Sequence, residues 1–571
     1  MRRCLTRIGL GLAIVLGGTG GLAWYVREFP WRNSCGRPAV AAALPPGATS
    51  AVATSHPLAT RAAADVLMAG GTAADAAVAA ALMLAVAEPG NSGLGGGGFA
   101  LLHDPATGRD VALDFRERAP LAVDTGELRA AVHANPRALR DGALAVAVPA
   151  LWPGLVELHR RSGRLPLSRL AAPAAAAARD GIAIGREYVA RCWLRWGALR
   201  GDPEARRLFL TRLGAMCPLP GWILRQPDLA GTLRALTNTD HPASWADIFG
   251  ERMVAFVASQ GSRISRRDLL TTAVVERPVV TGRFLRHRIV SVGPPAGGLV
   301  VLDLLQTYEQ LRERLPRANA FHLWTEASRL AFRDRSALLG DPEFVDVPVD
   351  RLASADHARE HALLVTADGA LALSADGAQR EGTHTTHVSV IDREGMAVAM
   401  TLSINIPFGS GLVVPGTGVL LNDEMDDFEV AGPNAPGPAG TAVNAPAPGK
   451  RPLSSMSPTF VYDERGLAAV LGSPGGTSIP TAVAWVVREM IEGGRTPAEA
   501  VRSPRIHHQW SPDVLQVEPR FQLEALPPWL AAHRARPPFP IGRVQMVALD
   551  GAGWRGVSDC RDEGEAWQGS P

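Results

Sequence analysis

The hydrophobic pattern changes period several times along the chain, and each change marks an element. From Leu58 to Met68 apolar residues recur at helical spacing, and Gly70-Gly71 ends the run. Thr72 then stands in a capping position before Ala73 to Ala87, a run apolar nearly all round, which predicts a buried helix stopped by Pro89-Gly90. The glycine-rich run Gly93-Leu94-Gly95-Gly96-Gly97-Gly98 leads into Phe99-Ala100-Leu101-Leu102, which reads as a strand. Helical spacing recurs through 150–260 and 320–340, whereas Val279 to Val292 and Ala468 to Gly472 read as strands. Val388-Ser389-Val390-Ile391-Asp392 alternates until its last pair and predicts a strand. A turn at Arg393-Glu394-Gly395 and a second strand, Ala397 to Ile404, follow. Between Asp426 and Ser454 the sequence Ala431-Gly432-Pro433-Asn434-Ala435-Pro436-Gly437-Pro438 cannot form regular structure and reads as a mobile surface loop. No internal repeat is visible.

A chain of 571 residues exceeds one small core, so two or more packed lobes are expected. The net charge of +2 is close to neutral, and Arg residues are scattered among Asp and Glu, which speaks against a nucleic-acid surface. The N-terminus is different. Arg2, Arg3 and Arg7 precede an uncharged run from Ile8 to Val26, and Arg27 follows. At ~1.5 Å per residue that run is just long enough to span a bilayer. The arginines should stay cytoplasmic, placing the rest of the chain outside, in a periplasmic or extracellular position. No small-x-small site is evident near Trp24 and Tyr25, so an uncleaved inner-membrane anchor at 8–26 is preferred to a cleaved signal, which would give a secreted protein. Residues 28–50 read as a Pro-rich linker. In an export compartment Cys192 and Cys217 could close a loop, with Cys560 left unpaired.

Two patterns carry candidate chemistry. Gly93, Gly95 and Gly98 match a dinucleotide-binding spacing, but helix precedes strand here, the reverse of what that motif requires. These glycines instead suit a backbone passing close to another strand or a ligand. The second pattern is Gly382-Thr383-His384-Thr385-Thr386-His387. A neutral Thr hydroxyl needs an adjacent base to act as a nucleophile. Its own α-amine can be that base if the chain is cut before it. Thr pairs are also common in ordinary strands. His387 is better read as a packed histidine than as a base.

The downstream motifs Asn422-Asp423-Glu424-Met425-Asp426-Asp427-Phe428, Arg451-Pro452-Leu453-Ser454-Ser455-Met456-Ser457-Pro458-Thr459 and Gly472-Ser473-Pro474-Gly475-Gly476-Thr477 resemble those of the γ-glutamyltransferases. So do Thr385-Thr386-His387 and Asn405. Upstream, Ser55-His56-Pro57-Leu58-Ala59, Gly93 to Phe99, Asp114-Phe115-Arg116-Glu117, Pro294-Pro295-Ala296-Gly297-Gly298 and Leu339-Gly340-Asp341-Pro342 agree, as does the later His507-His508-Gln509-Trp510. The resemblance covers roughly residues 50–565.

The resemblance implies an N-terminal-nucleophile hydrolase: an α/β (α+β) fold, a four-layer αββα sandwich made by autocleavage of a zymogen. The expected organisation is an anchor and linker start at 1–36, a large subunit at 37–384 and a small subunit at 385–571, the two remaining paired. The cut would fall between His384 and Thr385. Thr385 would be the nucleophile, Ser403 its supporting hydroxyl, and Gly475 and Gly476 the oxyanion hole. A γ-glutamyl group ends in an α-carboxylate and an α-ammonium. Arg116 offers a bidentate fork for the first, with Ser454 and Ser455 as further donors. Asp427 can take the ammonium, with Asn405 and Glu424 as additional acceptors. The implied reaction cleaves γ-glutamyl amides such as glutathione through a γ-glutamyl-Thr385 ester, passed to water or to an amino acid or peptide, without metal or organic cofactor.

The loop after Phe428 contains no Tyr, where some relatives carry an aromatic gate; freer solvent access would favour hydrolysis. Ile541-Gly542-Arg543-Val544-Gln545-Met546 and Ser558-Asp559-Cys560-Arg561 depart from the family pattern, outside the expected pocket motifs. The alternatives are a glutaryl-type β-lactam acylase, a poly-γ-glutamate hydrolase, or an unprocessed inactive membrane-anchored homologue. Asp427 argues against the first, since a glutaryl group has no ammonium.

Overall fold

The computed structural model describes residues 47–211, 216–238, 245–373, 385–430, 443–518, 540–551 and 553–570. Its centre is a pair of antiparallel sheets. Their strands are β1 (Ser50–Thr54), β2 (Gly97–Asp104), β3 (Arg109–Phe115), β4 (Val275–Arg277), β5 (Val279–Phe284), β6 (His287–Val292), β7 (Thr385–Ile391), β8 (Ala397–Ser403), β9 (Thr459–Asp463), β10 (Gly466–Gly472), β11 (Gln545–Asp550), β12 (Gly553–Ser558) and β13 (Glu565–Gly569). The seven-stranded sheet runs β13-β1-β7-β8-β2-β3-β4 and the six-stranded sheet β12-β11-β10-β9-β6-β5. Each sheet takes strands from both sides of Thr385. A cut there would therefore leave two chains that share both sheets.

Helices cover the outer faces. Against the first sheet lie α1 (Pro57–Met68), α2 (Ala73–Ala87), α3 (Leu151–Ser162) and α4 (Leu167–Asp180); Val52, Leu102, Val388, Val390 and Met400 point into that layer. α5 (Arg186–Gly201) follows in the chain. The second sheet is covered by α6 (Gly298–Arg314), α7 (Ala320–Leu338), α8 (Ala355–Leu364) and α9 (Ser478–Ile491). Ala53, Phe99, Leu101 and Ala399 of the first sheet join Val470, Leu471 and Met546 of the second in the core between and behind the sheets. The layers are α, β, β, α, as the family resemblance implied.

Local chemistry explains the elements. α2 is buried along its whole length, so its uniformly apolar sequence has no solvent face to serve. Thr72 and Asp75 form a reciprocal capping box at its start. The glycine run passes other backbones closely: a Cβ at Gly95 would lie 2.1 Å from the Leu420 carbonyl oxygen, and one at Gly96 2.1 Å from that of Ser403. The single strand expected over 279–292 is instead a hairpin, β5 and β6, turned at Leu285 in the left-handed region (φ 52). Cys192 and Cys217 are bonded. Cys560 is also disulfide-bonded, against the expectation of a free thiol; spacing along one sequence does not reveal a distant partner. Among the described residues no helix is long and apolar enough to cross a membrane. The expected anchor at 8–26 and the loop core at 431–438 lie outside the described residues.

Candidate active site

Thr385 opens β7 and is buried. Successive strand side chains alternate in direction. Val388 and Val390 face the helices, while His387 and Ser389 face the second sheet, and Thr385 shares their side. Ser403, the last residue of β8, is the cross-strand partner of Thr385, so the two side chains stand on one face. Ser403 Oγ accepts the Asn405 N–H at 2.8 Å. Asn405 sits in the left-handed region (φ 76), which Asn tolerates better than most residues. Its Nδ2 donates to the Asp423 carbonyl at 3.0 Å.

His387 is a packed residue. Its ring lies between the hydroxyls of Thr401 (2.8 Å) and Ser389 (3.1 Å), and burial pushes its pKa down to about 3. A Cβ at Gly472 would fall 2.2 Å from the ring, so β10 can end there only with glycine.

From that point the chain turns through Gly475 (φ 142) and Gly476 (φ 57) into α9. Side chains are strained at both angles, and glycine is not. The turn lies at the positive end of a 14-residue helix, where backbone N–H groups favour negative charge. Ser478 Oγ donates to the Gly475 carbonyl at 2.8 Å, and Thr477 Oγ1 to Gln509 Oε1 at 2.5 Å. The His507-to-Trp510 motif thus holds the start of α9. Arg543 N–H donates to Ser473 Oγ at 2.8 Å, and the Gly542 backbone lies beside Gly475. The divergent 541–543 segment, outside the motifs themselves, therefore backs the glycine turn.

The charged residues converge around Arg116. Its Nη2 donates to Asp427 Oδ2 at 2.5 Å, and its Nη1 lies 2.7 Å from Glu424 Oε2 and 3.6 Å from Glu117 Oε2. All four side chains are buried. Glu424 and Asp427 come from one 3-10 turn (Glu424–Asp427), placed by Asn422, whose amide reaches the Gly95 (2.6 Å) and Ala147 (2.9 Å) carbonyls. Burial raises the Glu117 carboxyl above the usual carboxylate range, with Arg116 opposing it, and raises Glu424 well above that range. Arg116 is pushed upward by Glu424, Asp427 and Glu117 against the opposing effect of burial.

A second layer fixes this arginine. The Arg116 N–H donates to Asp114 Oδ1, Asp114 Oδ2 accepts Arg277 Nε, and both bonds are 2.9 Å. Asp341, of the Leu339-to-Pro342 motif, accepts the Arg451 N–H at 2.9 Å and lies 3.3 Å from Arg277. Ser454 and Ser455 are buried; Ser454 N–H donates to the Pro295 carbonyl at 2.8 Å, which ties the 294–298 motif to this segment. Among the described residues the Ser455 hydroxyl has no hydrogen-bond partner.

The structure thus brings Arg116, Glu424 and Asp427 together, pairs Thr385 with Ser403, and places Asn405 beside Ser403. His384 lies outside the described residues. Sequence reasoning gave no role to Glu117, although it adjoins Arg116, and missed Arg335. Arg335 is buried, its pKa lowered by burial to about 10, with Asp427 and Glu429 acting in the opposite direction. With Phe332, Thr477, Gln509 and Trp510 it lines a small, open pocket beside the glycine turn. Nothing in its local pattern marks it apart from a helix-face cation.

Comparison with known proteins fits this geometry. The profile of the family described as Gamma-glutamyltranspeptidase matches residues 59–569. The glutathione hydrolase proenzyme of Escherichia coli (strain K12) is 34% identical over 488 residues, covering 83% of each chain. The acylase ACY 1 proenzyme of Pseudomonas sp. (strain V22) is 34% identical over 523 residues, covering 88% of this chain and 90% of its own. Among solved structures, a cephalosporin acylase from Bacillus halodurans superposes with a TM-score of 0.77 at 25% identity, covering 91% of this chain and 96% of its own. The γ-glutamyltranspeptidase of Helicobacter pylori, 31% identical, gives 0.50 over 55% of this chain and 91% of its own. With the profile spanning nearly all of the described chain, the protein belongs to the gamma-glutamyltranspeptidase family.

Proposed function

We propose that this chain is an autoprocessed γ-glutamyltransferase acting on γ-glutamyl amides such as glutathione. The observation that carries the reading is the buried Arg116–Asp427–Glu424 cluster, a cation and carboxyl groups set together in one site. That pairing suits a zwitterionic acyl group. Arg116, with Ser454 and Ser455, holds the α-carboxylate; Asp427, with Asn405 and Glu424, holds the α-ammonium.

Processing begins when the Thr385 hydroxyl oxygen attacks the His384 carbonyl carbon. The C–N bond breaks, the nitrogen takes the proton, and an ester forms. Water then opens the ester, freeing the His384 carboxylate and the Thr385 amine. In the mature enzyme that amine accepts the proton of its own hydroxyl. Thr385 Oγ attacks the γ-carbonyl, the Gly475 and Gly476 N–H groups receive the oxyanion, and the protonated amine returns its proton to the leaving nitrogen. Ser403 orients the nucleophile. Water, an amino acid or a peptide then takes the γ-glutamyl group from Thr385. The large subunit ends at residue 384, the small subunit begins at 385, and residues 8–26 anchor the pair on the outer side of the inner membrane.

The test is the purified protein on γ-glutamyl and glutaryl p-nitroanilides. Preference for the γ-glutamyl substrate supports the reading. Equal or better hydrolysis of the glutaryl substrate would overturn it in favour of an acylase, which the 34% identity to ACY 1 keeps as the second reading.

A further inference from the structure

Three helices on the outside of the second sheet bring four metal-ligating side chains to one point. Asp303 of α6, Asp334 of α7, and His357 and His361 of α8 each offer one ligand atom, all within 4.8 Å of one another. All four are buried. His357 and His361 are one helical turn apart, so both rings leave the same face of α8, with centroids 4.2 Å apart. Asp334 Oδ2 lies 2.8 Å from His357 Nε2 and 3.2 Å from His361 Nε2. Asp303 reaches His361 Nδ1 at 3.3 Å and His357 Nε2 at 4.0 Å. His357 Nε2 is close to Asp334 yet not aligned on it as a hydrogen bond. One ligand atom from each of the four thus lies in one small buried space. Thr307, one turn beyond Asp303, donates to Asp303 Oδ1 at 2.9 Å, as outer residues do when they orient a ligating carboxylate. Arg333 stands against the group, its Nη2 3.0 Å from Asp334 Oδ1 and 3.2 Å from His361 Nε2, and would have to swing away from that nitrogen for a metal to bind there; Glu360 lies 3.9 Å from His357 Nδ1.

We propose that Asp303, Asp334, His357 and His361 form a structural site for a divalent transition metal, zinc above all. Two imidazoles disfavour magnesium and calcium, which take oxygen ligands. Four protein ligands fill a tetrahedral shell and leave no position for substrate, the pattern of a structural zinc site. The two carboxylates balance the dication. The metal pins α6, α7 and α8 together. It thereby steadies α7, whose Arg335, next to Asp334, lines the pocket beside the glycine turn.

The experiment uses purified protein without a polyhistidine tag, stripped with EDTA and titrated with CoCl₂ while visible absorption is recorded. The expected result is one cobalt per chain, with bands far stronger than the aqueous ion's, abolished by ZnCl₂. His361→Gln and Asp303→Asn should lose the bands, and Thr307→Val should weaken binding roughly 10- to 100-fold. Only the aqueous spectrum with unsubstituted protein, or undiminished bands in His361→Gln, would overturn the site. Should the ligand variants fail to fold, Thr307→Val decides: unchanged cobalt affinity in that variant also overturns it.

Discussion

Arg116 and Asp427, 311 positions apart in the chain, meet in a buried ion pair at 2.5 Å. The same arginine holds Glu424, while Asp427 Oδ1 has no hydrogen-bond partner among the described residues. One oxygen of Asp427 thus orients the guanidinium and the other can receive an ammonium. Asp427→Asn should lower kcat/KM on a γ-glutamyl anilide by about 1.5–3 kcal/mol, roughly 10- to 150-fold, chiefly through KM. On a glutaryl anilide the loss should be much smaller. Steady-state kinetics on both substrates checks this; equal losses would remove the ammonium role.

Gly475→Ala attacks a different step. A Cβ there would lie 2.7 Å from Ser478 Oγ on a backbone with φ 142. The turn must shift, and with it the N–H proposed to receive the oxyanion. The expected loss is on the order of 10²–10³ in kcat with KM little changed. An unchanged kcat in processed protein would place the oxyanion hole elsewhere.

His387 gives a pH signature. Its pKa is about 3 in the fold against 6.5 unfolded. Above pH 6.5 neither state holds the proton and the residue contributes no pH dependence. As pH falls below 6.5, the unfolded chain binds a proton that the fold refuses, so stability drops by about 1.4 kcal/mol per unit until pH nears 3. Urea unfolding of wild type and His387→Gln between pH 4 and about 7 should show a difference with that slope below 6.5. A difference independent of pH would mean that the imidazole titrates alike in the folded and unfolded chain.

The Cys192–Cys217 bridge closes a loop with a sequence separation of 25. Chain entropy alone assigns such a loop about 3.5 kcal/mol. Cys192→Ser should lose a comparable amount in denaturant unfolding while sparing the catalytic residues. The bridge tethers α5, whose Arg195 donates to the Pro407 and Gly409 carbonyls at 3.0 and 2.6 Å, next to the Asn405 turn. A rise in KM with loss of the bridge would report that connection.

Much of this was legible in the sequence because the signals were local. Thr72 and the apolar run after it gave α2, and the β7–β8 hairpin followed from alternation and a Gly395 turn. The site motifs were legible as residue types, and the structure brings Arg116, Glu424 and Asp427 together. What was not legible is held by contacts distant in sequence. The Asp114–Arg277–Asp341–Arg451 network brings together four separate segments, and although three of its members stand in recognisable motifs, nothing local shows that they pair. The placement of 541–543 behind the glycine turn depends on β11 pairing with β10, and the cluster of Asp303, Asp334, His357 and His361 on three helices packing together. Leu285 at positive φ hid the β5–β6 turn, since no Gly or Asn marks it.

The central claim is that Thr385 both cuts the chain and carries the acyl group. It is tested most directly by a denaturing gel and N-terminal sequencing of the purified protein, beside its Thr385→Ala variant. Wild type should give two bands, the smaller beginning Thr385-Thr386-His387, with γ-glutamyl hydrolase activity; the variant should give one full-length band and none. A wild-type band that stays whole, or a small subunit starting elsewhere, would contradict the account.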